Sequence, residues 1–461
     1  MTIWFDAEDL IQFFQNASRP TGIQRFSFET YRALWRQAGA TGTLGFCRRT
    51  KTGFKPIHFP TLEAGILAAA DAKSPARFSP LPLPPRETRL AIAARRLPLH
   101  YRLPLGVMAR AGLAGLAASR DLCRAALRPR TAPGNSIGGH QFELPAPAIT
   151  FTPGDWLVNL GASWVCPYPP KLLASLHSQG AHLALLAHDL IPELYPEWST
   201  PGTVRDFSNW LRTMVPQTSL MFAVSRHTAH DLTACLQKRG TTIAPPVILP
   251  TGSHGRQSPA PAAPLLQSPY ILMVGTIEVR KNHTGMLRVW RRLLATMPEA
   301  SVPTLVFAGK TGWLTADLLQ QLANANWLGG KIRFIDSPSE TTLANLYQNC
   351  LFTLFPSFYE GWGLPVTESL CFGKTAAISN RASIPEAGQS FCAYFDPENL
   401  TEAAATIRAL IENPQQIARL EQHIAASFTP PTWDVTATTL LNHLGTATRP
   451  HTIPAYETAN K

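Results

Sequence analysis

Short apolar runs alternate with amphipathic stretches along most of the chain, and each change of period marks an element. TIWFDA at 2–7 predicts a buried strand, a periodic run over 22–38 predicts the helix after it, and TGTLGFCR at 41–48 predicts another strand. The rhythm then breaks. From about 60 to 147 the chain is rich in Pro, Ala and Arg with irregularly spaced leucines, which reads as an insertion or peripheral helical region. Alternation resumes with strands at 155–161, 182–190, 220–225 and 247–252, separated by helices near 170–180, 202–215 and 227–238. A Gly/Ser/Pro-rich stretch at 252–269 suits a linker. Beyond it strands are predicted at 270–275, 304–309, 331–336, 351–357 and 375–380, with helices over 283–297, 315–324, 340–349 and 365–372, then 399–412 and 433–444.

Apolar strands separated by helices indicate parallel sheets covered on both faces. The expected class is therefore α/β, with two Rossmann-like, doubly wound sheets facing a cleft. The expected domains are 1–252, with the insertion at about 60–147; a linker at 253–269; 270–428; and a terminal segment, 429–461, whose helix packs back toward the first domain.

Composition narrows the function classes. The formal charge of +11 is mostly local: ten arginines and two acids fall between Arg86 and Arg130, which accounts for eight of those charges. Nucleic-acid readers interleave aromatics with basic residues, and this segment has only Tyr101. Leucines beside arginines instead suit an anionic membrane surface, so no nucleic-acid partner is expected. Seven scattered cysteines without a CxxC pair argue against a disulfide framework, and no metal-binding motif occurs. The acids of MTIWFDAEDL stand where a signal peptide carries positive charge, so the expected location is cytoplasmic, peripheral at the inner face of the membrane.

The informative loop is YEGWGLPVTES, 359–369, which follows a strand and enters a helix at Pro365. Gly361 and Gly363 let the backbone approach a ligand, and free amides at a helix start favour an anion. Glu360 and Glu368 straddle this nest. Phosphates repel carboxylates, so both acids are expected to accept hydroxyls from rings on either side of a diphosphate, which describes a nucleotide sugar. Arg280 and Lys281, in GTIEVRKN after another strand, are placed to neutralise that diphosphate.

FPSFYEGWGLPVTESLCFGK, with RKN upstream and SIPEAG at 383–388, resembles the donor domain of family 4 retaining glycosyltransferases of GT-B fold, over about 220–445. The resemblance implies that Glu368 holds ribose hydroxyls and Glu360 the transferred sugar. The amides of Gly361, Trp362, Gly363 and Leu364 meet sugar and diphosphate, and Lys281 with Arg280 binds the phosphates. Many members carry a basic residue directly after the strand glycine, Gly275; here it is Thr276, and Arg280 is the expected substitute. The amino-terminal half resembles acceptor domains of bacterial capsule, exopolysaccharide and O-antigen mannosyltransferases through RPTGIQR at 19–25 and HDLIPELYPEW at 188–198. Gly22 then faces donor phosphates or acceptor, His188 the donor sugar or incoming hydroxyl, and Asp189 the acceptor side. Ser225 is expected to cap the next helix, and Glu386 either completes the donor loop or caps its own turn.

The implied reaction moves a hexose to a hydroxyl of a glycan or polyprenyl-diphosphate-linked acceptor, needs no metal or cofactor, and favours GDP-mannose over UDP-glucose as donor. A glycosidase also uses paired carboxylates but has no need of the glycine nest and cations. An epimerase of the same fold would convert its donor without acceptor. The rival of another class is a catalytically silent nucleotide-sugar or nucleic-acid binding protein.

Overall fold

Residues 3–6, IWFD, form β1 at the centre of a sheet because both of its faces are covered, with Phe5 fully buried. In this computed structural model, residues 1–16, 22–39, 42–50, 53–71, 77–78, 144, 147–255, 257, 263–267 and 269–446 are described. The first sheet has the order β3-β2-β1-β5-β6-β7-β8, with β2 Leu44–Arg49, β3 Phe54–Ile57, β5 Trp156–Asn159, β6 His182–Ala187, β7 Leu220–Ala223 and β8 Val247–Ile248. All its pairings are parallel except β2 with β3. The second sheet, β14-β13-β12-β9-β10-β11-β4, is built from β9 Tyr270–Val274, β10 Thr304–Gly309, β11 Ile332–Asp336, β12 Thr353–Phe355, β13 Ala376–Ser379 and β14 Ala393–Phe395. Its antiparallel edge strand, β4 Arg77–Phe78, pairs with β11. Both sheets belong to one compact unit, Met1–Ser79 with Ile137–Lys461.

Strand order reverses between β1 and β5 in the first sheet and between β9 and β12 in the second. Loops leaving the carboxyl ends at such a switch point diverge and leave a crevice. GTIEVRKN and YEGWGLPVTES are the loops after β9 and β12, and Phe358 N–H donates to the Arg280 carbonyl at 2.9 Å, joining them.

Several elements differ from the expectation. EDLIQFFQN forms a helix, α1 Glu8–Asn16, ahead of α2 Ile23–Ala38. Its acids at the start and apolar residues at 10, 11, 13 and 14 are helical signals, masked by the strong strand just before. The break at 60 is not where the core ends: α3 Phe59–Asp71 buries Phe59, Leu62 and Ile66 against Phe46 and Tyr31. The segment assigned to the insertion thus supplies both a core helix and β4. The Arg-rich 86–130 stretch lies outside the described residues.

The Trp433–Thr446 helix buries Trp433, Ala437, Leu440 and Leu444 in the core of the first sheet, although it follows the second in sequence. Trp433 packs edge-on to Phe26 of α2, ring centroids 5.5 Å apart, and Gly252 abuts its indole closely enough that a Cβ there would overlap the ring. Burying that side chain stabilises by roughly 2–3 kcal/mol and ties the chain end to the first half. Among the described residues no helix is long and apolar enough to cross a membrane.

Candidate functional site

The turn after β12 is fixed by glycine geometry. Gly363 has φ 116°, a region that favours glycine, and occupies the N-cap of the Leu364–Cys371 helix, with Pro365 in its first turn. Ser383 Oγ donates to the Glu360 carbonyl at 2.7 Å and lies 3.2 Å from that of Trp362, and Trp362 Nε1–H donates to Thr367 Oγ1 at 3.0 Å. These bonds hold the loop against Ser383 and the first turn of the helix.

After β9, Gly275 has φ 146° and a 3-10 turn, Val279–Lys281, presents the two cations. Asn282, itself left-handed at φ 61°, ends the turn and caps the His283–Thr296 helix by accepting from Gly285 N–H at 3.1 Å. Lys281 Nζ reaches Glu360 Oε1 at 2.5 Å and lies 4.8 Å from the Phe355 ring centroid. Arg280 pairs with the other Glu360 oxygen and with Glu278 at 2.7 Å. Burial works against the Glu360 charge, but Arg280 and Lys281 outweigh it and hold the carboxyl at about 2. Burial pulls the Lys281 ammonium below its usual value against the opposing pull of Glu360, while Glu360 and Glu278 carry Arg280 above its own despite burial.

Arg280 and Lys281 were expected to face a diphosphate and Glu360 a sugar hydroxyl; the structure brings all three side chains into contact with one another. Arg280 and Lys281 stand against Glu360 and Glu278, with Asp189 a third acid acting on Arg280, so both cations are compensated. In a low-dielectric cleft such compensation is what keeps four charges buried together.

Glu368 lies further along the helix that follows. Its Oε1 takes Arg25 of α2 at 2.8 Å and its Oε2 takes the Tyr347 hydroxyl at 2.8 Å. These three side chains line a cavity of about 420 Å³ together with Glu340, Leu364 and Phe372. Tyr347 and Phe372 stack with centroids 5.2 Å apart. A carboxylate offers about four lone-pair sites, so Glu368 retains capacity for ligand hydroxyls. Sequence reasoning missed Arg25 and Tyr347: Arg25 sits three residues after Gly22 within the quoted RPTGIQR, one turn into α2, and that spacing was the available signal.

On the opposite wall, His188 follows β6 and is buried, its Nε2 2.8 Å from the Leu160 carbonyl. A carbonyl only accepts, so Nε2 carries the proton and Nδ1 the lone pair. The half-buried Asp189 accepts from Ile191 N–H at 3.0 Å, and burial raises its carboxyl. Gly22 is exposed at the start of α2 with φ 53°. Gly361 meets this wall directly, since a Cβ there would overlap the His188 carbonyl oxygen. Ser225 caps the Arg226–Lys238 helix by accepting from Thr228 N–H. Glu386 neither completes the donor loop nor caps its own turn: it accepts from the Arg226 and His227 amides at 3.0 and 2.9 Å, capping a helix of the other half.

Residues 259–426 match the family model for glycosyl transferases group 1. Over those residues the chain is similar to glycosyl transferases group 1. It is similar to the serotype-specific mannosyltransferase WbdA of Escherichia coli, 27% identical over 248 residues that cover 50% of this chain and 30% of that protein. The O-antigen chain mannosyltransferase B of Escherichia coli is 28% identical over 226 residues, 48% of this chain and 58% of its own. The chain thus spans less than two thirds of the length of either relative. A crystal structure of Anabaena HepE in complex with UDP and glucose superposes with a TM-score of 0.54 at 14% identity, over 97% of this chain and all (100%) of that one. The shared fold is GT-B.

The half built on the second sheet contributes Glu360, Arg280, Lys281 and Glu368, and the other half contributes His188 and Arg25. Burial depresses the His188 pKa to about 4, so imidazole ¹⁵N NMR is expected to show a neutral Nε2–H tautomer from pH 8 down to about 5. The unfolded imidazole binds a proton near 6.5 that the folded one refuses until about 4, so His188 withdraws stability as pH falls through that window. Titration of this ring near 6.5 would contradict the buried placement.

Proposed function

We propose that the protein is a retaining hexosyltransferase, moving mannose from GDP-mannose to a hydroxyl of a glycan or polyprenyl-diphosphate-linked acceptor in bacterial surface polysaccharide synthesis. The observation that carries this reading is the meeting of Arg280, Lys281, Glu360 and the Gly363-capped helix start at the β9/β12 switch point, with Glu368 in the adjoining cavity. Cations and amide dipoles there serve a departing diphosphate, and the two acids serve sugar and ribose hydroxyls. The mannosyltransferase names of its relatives favour mannose.

In this reading the bond between the sugar anomeric carbon and the diphosphate oxygen breaks while a bond to the acceptor oxygen forms on the same face. The acceptor proton passes to the departing phosphate oxygen. Arg280 and Lys281 stabilise the growing charge, and the carboxylate of Glu360 fixes the sugar. Neutral His188 offers Nδ1 as an acceptor beside the incoming hydroxyl. The basic 86–130 segment would hold the cleft at an anionic cytoplasmic leaflet that carries the lipid acceptor.

A panel of GDP- and UDP-sugars with a polyprenyl-diphosphate acceptor, followed by chromatography of released nucleotide, tests the assignment. Release of GDP from GDP-mannose that depends on acceptor is expected. Conversion of a donor without acceptor, or no consumption of any donor, would overturn it.

A further inference from the structure

Arg280 was the expected replacement for the missing basic residue at Thr276, yet before substrate arrives its charge is compensated. It pairs with Glu278 and Glu360, and Lys281 pairs with Glu360 as well, so this cluster presents no net positive charge to a diphosphate. An uncompensated cation within reach adds to what amide dipoles and a paired cluster supply to a leaving diphosphate.

Lys310 is placed to be that cation. It follows Gly309 at the carboxyl end of β10, next to the β9 loop in the parallel ladder. Gly309 abuts this loop so closely that a Cβ there would overlap the Gly275 carbonyl oxygen and lie 3.4 Å from Thr276 N. The Lys310 carbonyl accepts from Ile277 N–H at 2.9 Å, which fixes its backbone beside Thr276. Its side chain is exposed, with Nζ 5.9 Å from the ring centroid of Phe13 in α1 across the crevice. Among the described residues no carboxylate pairs with it. An exposed cation–π contact is weak, and the flexible four-carbon stem lets the ammonium turn to a stronger partner.

We propose that Lys310 is a phosphate-binding residue of the donor site, standing in space where a basic residue at Thr276 would otherwise supply the charge. The assignment rests on the donor-site reading above. Charge reaches the diphosphate from the β10 loop, while Arg280 and Lys281 remain tied to Glu360 until substrate competes for them.

Calorimetric titration of GDP and UDP into wild type, Lys310→Ala, Lys310→Arg and the double variant Lys310→Ala/Thr276→Lys tests it. Loss of the ammonium is expected to weaken diphosphate binding about tenfold, the share of one charge-assisted contact, with a shallower salt dependence. Arginine at 310, or lysine at 276 in the alanine background, is expected to restore most of that loss. Guanosine and uridine, followed by ligand-observed NMR, are expected to bind wild type and Lys310→Ala alike, and the exposed position keeps the melting temperature unchanged. Equal diphosphate affinity in wild type and Lys310→Ala would overturn the assignment alone. Wild type that binds neither nucleotide would overturn the donor-site reading and this inference with it.

Discussion

Replacing Glu360 by Gln is expected to lower turnover about a thousandfold, the scale of removing a preorganised electrostatic group, while tightening nucleoside diphosphate binding about tenfold. The two effects have one cause. Glu360 neutralises Arg280 and Lys281 before substrate arrives, both of its oxygens being occupied by them. An amide leaves the cluster one charge more positive, so an anionic product meets less competition and stays longer. The same amide cannot hold the cations in line or accept the sugar hydroxyl as a carboxylate does. Breaking a buried pair from one side costs about 3 kcal/mol or more, so thermal melts must accompany the kinetics. Because Glu360 titrates at about 2 against an ordinary 4.5, the stability it contributes is complete above pH 4.5 and disappears as pH falls toward 2. Steady-state kinetics with calorimetry on GDP and UDP checks this, and weaker diphosphate binding in Glu360→Gln would count against the competition.

Gly361→Ala is expected to cut activity by about a hundredfold or more while leaving both sheets folded. A Cβ at this position runs into the His188 carbonyl oxygen and comes within 3.2 Å of Asp189 Cβ, backbone and side chain of the other half. Neither obstacle is the free end of a flexible side chain, so the loop after β12 must retreat from the wall that carries His188. A displacement of about 1 Å at reacting groups is enough for a loss of this size. Circular dichroism should be unchanged, and small-angle scattering should show a more open pair of domains. Wild-type activity in this variant would mean that the contact does not set the catalytic geometry.

The strand-helix alternation was legible because parallel strands buried on both faces write continuous apolar runs, as in TLVFAG and HLALLA. The donor loop was legible for a local reason: Gly361 permits a close backbone approach, Gly363 a left-handed φ and Pro365 a helix start, each readable from residue type. What escaped was whatever depends on two distant segments meeting. Arg25 meets Glu368 across 343 residues of sequence, Glu386 caps a helix in the other half, and Lys281 folds onto Glu360 instead of standing free. Residue types announce that such groups are chemical, but only the topology at the switch point says which of them neutralise one another. Phe59, Leu62 and Ile66 were hidden differently, since they begin a segment whose overall composition resembles a peripheral insertion.

The most direct measurement is a crystal structure with GDP and UDP soaked separately. The account predicts the diphosphate on the amides of Gly361 to Leu364, within reach of Lys281, and the ribose on Glu368. Electron density that places the diphosphate away from the loop after β12, with Glu360 still closed on Arg280 and Lys281, would contradict it.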